Sequence, residues 1–478
     1  MNKAREENKI KDRADYSSSV FPIPSKARHA GPITMFWLYA GGNIILASFV
    51  LGSTYSESLG FIPAVIMTIV GNLAAYTICA WSAQKNVKYG IDEIVSHRPA
   101  FGYYGSVFGV FLILAITIGW TGILSSLMGS AGELSVTILT CSSGFAGEYY
   151  AYAIVGGIII PIILLLIDPK IGFKLSNITV PIMLAFSIYM LIKLLSAENL
   201  AALLSFKATR ETSWIFAFEA IFAYAVVWLQ YIGSWNRMAK TERGGVWGTY
   251  IGLALAGMLL GIVGGMATIL TGEVDPTLWM LELNLSVMAF ICIIAGTITT
   301  ITILIYSGAM SLLTVFPNLN FRIVTVLIAL PALPFIFIGS LRDAFDFILI
   351  FGAMLAGPYW AIILIDYFLL RKQKINVKAC FDKEGPYKYF KGFNPIAIFS
   401  QIVGMIVWLF LGGWMTGFTF ITSSFGMTLF NALGATLPAI IVSALVYYGL
   451  TKLFLKKYSF GDYRYSKKNL GGVLNEIK

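Results

Sequence analysis

Twelve apolar stretches separated by short polar gaps organise the chain: 33–56, 60–82, 105–130, 149–167, 176–196, 213–236, 246–271, 286–314, 321–338, 345–369, 394–414 and 426–451. A helix needs about 20 apolar residues to cross a bilayer, and each stretch supplies roughly that many. They are continuously apolar rather than alternating, which selects helices over a barrel. The pattern predicts an all-α integral membrane protein with twelve transmembrane helices. Stretches one to five and six to ten run with opposite topologies, because five is odd. That permits inverted repeats at 33–196 and 213–369 inside a ten-helix core, 33–369. Two C-terminal helices occupy 394–451. The polar tail 1–32, the loop 370–393 and the tail 452–478 are too short to bury a core of their own.

Charge orients this pattern. Of the 34 Lys and Arg residues, 30 lie in every second gap, with seven each in 1–32, 370–393 and 452–478. The other set of gaps holds Lys207, Arg210 and Arg342, and Lys193 lies inside a stretch. Cytoplasmic loops are enriched in Lys and Arg, so both termini are expected in the cytoplasm and the chain in the cell membrane. Only 12% of residues are charged against 58% hydrophobic, where a soluble domain carries about 25% charge. The net charge of +10 sits in loop anchors without aromatic interleaving, so no nucleic-acid partner is expected. The polar first 30 residues contain no apolar run, so no cleaved signal peptide is expected.

Cys79, Cys141, Cys292 and Cys380 show no CxxC spacing, and His29 and His97 stand apart from any acidic run, so neither disulfides nor a metal centre is expected. No nucleophile–base constellation turns up in the spans, which argues against an enzyme. The segment 272–285, TGEVDPTLWMLELN, reads as a short amphipathic helix lying on the outer surface.

Four places carry candidate chemistry. Ala40-Gly41-Gly42-Asn43 interrupts the first stretch; paired glycines loosen a helix, and freed carbonyls in lipid need a partner such as a cation. Close helix packing is the alternative. The eighth stretch holds Gly296-Thr297-Ile298-Thr299-Thr300-Ile301-Thr302, hydroxyls that serve a hard cation or bond back to their own helix. Trp120, beside Gly119 and Thr117 at mid-membrane depth, is either core packing or a stacking surface for a flat ligand. Glu219 is a carboxylate inside the sixth stretch, costly there and a functional candidate by default, unless an outer vestibule solvates it. Tyr224 and Trp228 follow on its helix.

Several pieces in order resemble one family, the nucleobase–cation symporters, which include cytosine, allantoin and hydantoin permeases. They are Pro24-Ser25-Lys26-Ala27-Arg28, Gly71-Asn72, Gly90-Ile91 through Arg98, Phe101-Gly102, Gly105-Ser106, Gly119-Trp120 with Gly122, and Trp235-Asn236-Arg237. Thr299-Thr300 before Tyr306, then Pro358, Ile365-Asp366-Tyr367 and Arg371, extend the match over most of residues 20–395. The resemblance implies a leucine-transporter-like core of two inverted five-helix repeats. It implies a sodium site built from carbonyls of Gly41, Ile44 and Gly296 and hydroxyls of Thr299 and Thr300, and a substrate stacked on Trp120.

This chain departs from the cytosine permeases at the substrate site. Thr117 stands for their glutamine, Ile45 for a phenylalanine, Gly296 for an asparagine, and Tyr224-Ala225 for a Ser-Phe pair; Ser234 replaces an aspartate. Cytosine is therefore not the expected cargo, and Glu219 and Tyr224 are expected to supply polar recognition. The reading is a secondary transporter importing a small nitrogen heterocycle, nucleobase-like or a vitamin precursor, by sodium symport without another cofactor. Proton coupling through Glu219 is the alternative within transport, and a passive channel or facilitator the alternative outside it.

Overall fold

The computed structural model describes residues 19–140, 149–208, 214–283, 287–337, 341–416, 424–457 and 460–463. Cys141, Arg210 and the outer parts of both polar tails lie outside them. Among the described residues the chain is all helical. Its elements are α1 (Pro32–Asn43), α2 (Leu46–Leu59), α3 (Phe61–Tyr89), α4 (Glu93–Phe101), α5 (Val107–Thr140), α6 (Tyr149–Ile167), α7 (Ile171–Leu194), α8 (Ala197–Ser205), α9 (Trp214–Val226) and α10 (Leu229–Asn236). There follow α11 (Glu242–Thr271), α12 (Pro276–Glu282), α13 (Val287–Val315), α14 (Phe321–Ile336), α15 (Leu341–Ile365), α16 (Val377–Cys380), α17 (Pro395–Gly412), α18 (Ser424–Leu433) and α19 (Thr436–Leu450).

Ten helices among these residues are long and apolar enough to cross a membrane. The pair α1–α2, bent by 59°, makes an eleventh span, and the shorter apolar α14 stands where a twelfth is expected. The sixth span is also interrupted, at Val227–Trp228 between α9 and α10. Breaks in the first and sixth spans occupy equivalent places in two five-helix units.

The packing forms two bodies. α11 lies against α1, α2 and α3, and α9 and α10 lie against α3, so spans one, two, six and seven make a four-helix bundle. α13 packs on α5, α6, α7 and α14, while α15 packs on α5, α17 and α19. Glycines set the closeness of the bundle. A Cβ on Gly52 would fall 1.9 Å from the Gly261 carbonyl oxygen, so the α2–α11 crossing admits no side chain there.

The basic gaps meet at one end of the molecule, here called the basic-loop end. Arg28 donates to Val87 O, Arg98 to Cys380 O at 2.6 Å, and Lys88 to Gln373 O at 3.0 Å. Arg371 is buried: it pairs with Asp366 at 2.5 Å and donates to Pro99 O at 2.6 Å and Gly461 O at 2.7 Å. The sparse gaps meet at the opposite end, where Lys193 donates to Leu283 O at 2.6 Å.

Four expectations change. The first span does not open at its glycines: α1 runs through Gly41 and Gly42 to Asn43, and the break falls at Ile44–Ile45, with Ile45 extended at φ −140°. β-Branched residues suit extended backbone. The described part of the segment 272–285, up to residue 283, does not lie on the surface, because Trp279 and Met280 of α12 are fully buried and Trp279 stands edge-on to Phe49 at 5.5 Å. The apolar stretch 426–451 is two helices, α18 and α19, parted at Gly434, whose φ of +71° favours glycine. His97 is not remote from acids. It sits one turn after Glu93 on α4, 2.8 Å from its carboxylate.

Candidate functional site

Where the two bodies meet, α1, α2, α5, α9, α10 and α13 enclose a small cavity of about 20 Å³. Ile45, Trp120, Leu124, Tyr224, Val227, Trp228, Tyr231, Thr300 and Leu304 line it. None of the nine is more than 5% exposed, so the cavity is closed at both ends. Both helix breaks border it, at Ile45 and at Val227–Trp228. Backbone freed by a break needs partners, and at the first break side chains supply them. Ser48 donates to Asn43 O at 2.6 Å and lies 2.9 Å from the Tyr224 hydroxyl, while the Asn43 amide donates to Leu253 O at 2.8 Å.

The cavity is aromatic and almost wholly apolar. Trp120 stands edge-on to Tyr224 at 5.8 Å and to Phe345 at 5.5 Å. Trp228 forms a second large plate, 5.9 Å from Tyr231, and its role as a wall was not read from the sequence. The signal was present: Trp228 is four residues after Tyr224, on the same helical face. Tyr224, Tyr231 and Thr300 are the hydroxyl-bearing residues of the lining, and Trp120 and Trp228 carry indole N–H groups. Thr117 does not line the cavity; it lies behind Tyr231, hydroxyl to hydroxyl at 3.0 Å.

Two candidates leave the site altogether. Ala225 points its carbonyl at Cys79, which donates at 3.2 Å, and it is not part of the wall. Glu219 accepts from Ala435 N at 3.0 Å and Thr436 N at 2.9 Å, and from the Thr436 hydroxyl. Its carboxylate caps the N-terminus of α19, where unpaired N–H groups and the helix dipole favour an anion. The sequence shows a charge in the membrane but not a partner more than 200 residues away.

Beside the cavity, the expected cation residues gather. Thr300 Oγ1 lies 3.1 Å from Gly41 O, 3.3 Å from Gly42 O and 3.2 Å from Gly296 O. A Cβ on Gly296 would stand 3.1 Å from Ile44 O, so that carbonyl borders the same spot. Thr299 bonds back to Ala295 O at 2.9 Å and meets Thr179 of α7 at 3.2 Å, a partner not anticipated from sequence. The donor set is neutral oxygen throughout. Among the described residues no three His, Cys, Asp or Glu side chains gather as a metal centre.

A second polar cluster lies at the basic-loop end. Glu93 accepts from Lys85 at 2.9 Å, from His97 at 2.8 Å and from the Trp360 indole at 3.3 Å, and Tyr359 lies 3.1 Å from the other His97 nitrogen. Burial would raise the Glu93 carboxyl, but the Lys85 ammonium and the His97 contact outweigh it and hold it at about 2. Burial lowers His97, only partly offset by Glu93. Asp92 lies beside Arg237 and Ser234.

Comparison with known proteins agrees with this architecture. Residues 22–437 match the family model for permeases of cytosine and purines, uracil, thiamine and allantoin. A hydantoin permease of Microbacterium maritypicum is 21% identical over 412 residues, covering 81% of this chain and 82% of its own. An allantoin permease of Bacillus subtilis (strain 168) is 24% identical, covering 73% of this chain and 78% of its own. The fold superposes on a nucleobase-cation-symport-1 family transporter, solved in a closed conformation with bromovinylhydantoin bound. That TM-score is 0.77 at 19% identity, over 94% of this chain and 97% of that one. The protein is a membrane transporter of leucine-transporter-like fold, not an enzyme, and it belongs to the nucleobase–cation symporter family.

Proposed function

We propose that the protein imports a small, neutral, planar nitrogen heterocycle by sodium symport across the cell membrane, with both termini in the cytoplasm. The carrying observation is the double position of Thr300, which lines the closed cavity and also gathers the carbonyls of Gly41, Gly42 and Gly296. Oxygens about 2.4 Å from a hard cation stand about 3.4 Å apart at the edges of its coordination shell, close to the 3.1–3.3 Å spacings around Thr300. A set without carboxylates suits a monovalent ion, since divalent sites recruit charged oxygens. Sodium held there would join α13 to the end of α1 and order the break at Ile44–Ile45, which borders the substrate. Each ligand would then favour the other.

The hydantoin permease and the bromovinylhydantoin-bound transporter suggest the cargo class. With Glu219 engaged at α19, the wall offers hydroxyls and aromatic faces, which favours a neutral ring over the cationic one a pocket carboxylate would select. Proton coupling through Glu219 loses its support for the same reason. Labelled uptake into proteoliposomes tests the reading. A sodium gradient should drive accumulation of a heterocycle that also raises the melting temperature; accumulation driven by a proton gradient alone would overturn the sodium assignment.

A further inference from the structure

We propose that a groove on the flank of the protein, outside the transport cavity, binds one phospholipid with an anionic headgroup. The groove has a volume of about 900 Å³ and lies between the four-helix bundle and α15–α19. Its floor and walls are apolar, from Ile78, Val246, Leu364 and Ile440 among others. Its polar lining residues, Gln84, Glu242, Arg243 and Gln373, all sit at the basic-loop end of their helices. Along α15 and its continuation the wall runs from Gly357 to Leu369, a depth of about 18 Å at 1.5 Å per residue. That matches one leaflet of a hydrocarbon core about 30 Å thick.

Charge at the mouth selects the headgroup. Gln84 donates to Glu242 at 3.4 Å and lies 3.4 Å from the Gln373 side-chain oxygen, and the Arg28 guanidinium acts on the same carboxylate. Arg243 is exposed, and it makes no ion pair among the described residues. Trp81 and Trp247, each 58% exposed, stand in the wall near the same mouth, the depth where indoles prefer the membrane interface. An acyl chain fits the apolar trough, and a phosphate-bearing head carrying net negative charge fits Arg243. A lipid seated there touches α3 and α11 on one side and α15 and α19 on the other, so its presence bears on how the two bodies move.

Native mass spectrometry of delipidated protein titrated with phosphatidylglycerol or phosphatidylcholine tests this, and it reads bound lipid independently of any transport assay. The wild type should hold one phospholipid, with the glycerol headgroup preferred about fivefold. Arg243→Gln, an exposed change, should abolish the preference, and Ala444→Trp, which fills the trough from α19, should remove both lipids. Melting temperatures of the same preparations identify a variant that has not folded, in which case the arginine variant decides. Equal binding of both lipids by wild type and Arg243→Gln would overturn the proposal. So would a second copy of the chain, or a heterocyclic substrate, occupying the groove in place of lipid.

Discussion

The Thr300 hydroxyl crosses from α13 to the Gly41 carbonyl of α1 at 3.1 Å, and it does so at the edge of the closed cavity. Removing that oxygen should therefore be felt in the sodium dependence of uptake. Thr300→Ala should raise the sodium concentration needed for half-maximal uptake about tenfold or more, the effect of losing one hydrogen-bond-strength contact to a charge. Thr300→Ser, which keeps the oxygen, should stay within about threefold of wild type. An alanine variant with unchanged sodium dependence would remove this residue from the cation site.

Trp120→Ala should abolish substrate-dependent thermal stabilisation while the unliganded protein still melts cooperatively. The indole lies within the cavity wall against Tyr224 and Phe345, and truncating it removes a stacking plate worth about 1–3 kcal/mol. Tyr224→Phe removes only a hydroxyl, already shared with Ser48 at 2.9 Å, and should weaken binding less. Wild-type affinity in the alanine variant would refute stacking on Trp120.

Glu219→Gln separates anchoring from coupling. The carboxylate accepts from two backbone N–H groups and one hydroxyl at the start of α19, and an amide would turn donors toward donors. The melting transition should fall by an amount corresponding to about 1–3 kcal/mol, while sodium-driven accumulation persists in the folded fraction. Loss of accumulation at unchanged stability would restore Glu219 as a coupling group.

Legibility followed the range of each interaction. The spans, their count and the basic-loop end were readable because hydropathy and the positive-inside bias are local properties of the chain. The gathering of Gly41, Ile44, Gly296 and Thr300 was anticipated through resemblance, since no local rule links residues some 250 positions apart. What failed depended on unseen partners. Gly41 and Gly42 mark close approach rather than unwinding, because a Cβ on either would meet another helix. Trp279 has an amphipathic setting yet packs on Phe49. Glu93 and His97 stood at i and i+4 in plain view, but their meeting required α4 to be a helix.

The Glu93 cluster carries a pH signature. Its carboxyl is depressed from an ordinary 4.5 to about 2, so its stabilising contribution is complete above the unfolded-state value and is lost as pH falls through the folded one. Glu93→Gln leaves the buried Lys85 and His97 without their acid and should cost about 3–5 kcal/mol at neutral pH. The gap between wild type and variant should then narrow between about pH 4.5 and 2. Thermal melts across pH check this, and a gap independent of pH over that window would place the cost in packing rather than charge.

Neighbouring glycines on α1 should give opposite phenotypes. A Cβ on Gly41 would fall 2.6 Å from Val180 and 3.1 Å from the Ser176 hydroxyl, pushing α1 away from α7 on the cation side. A Cβ on Gly42 would fall 2.6 Å from the Trp228 ring edge, and the rigid indole can relieve that contact by moving into the cavity. Overpacking of this kind costs about 1–3 kcal/mol. Gly42→Ala should therefore weaken substrate binding about tenfold or more with sodium affinity less affected, and Gly41→Ala should do the reverse. Trimming the wall in Gly42→Ala/Trp228→Phe should recover part of the substrate affinity if displacement of the indole is the cause. Identical effects of the two alanines on both ligands would mean that α1 shifts as a unit, and that the cation and substrate sites are not resolved at this pair of residues.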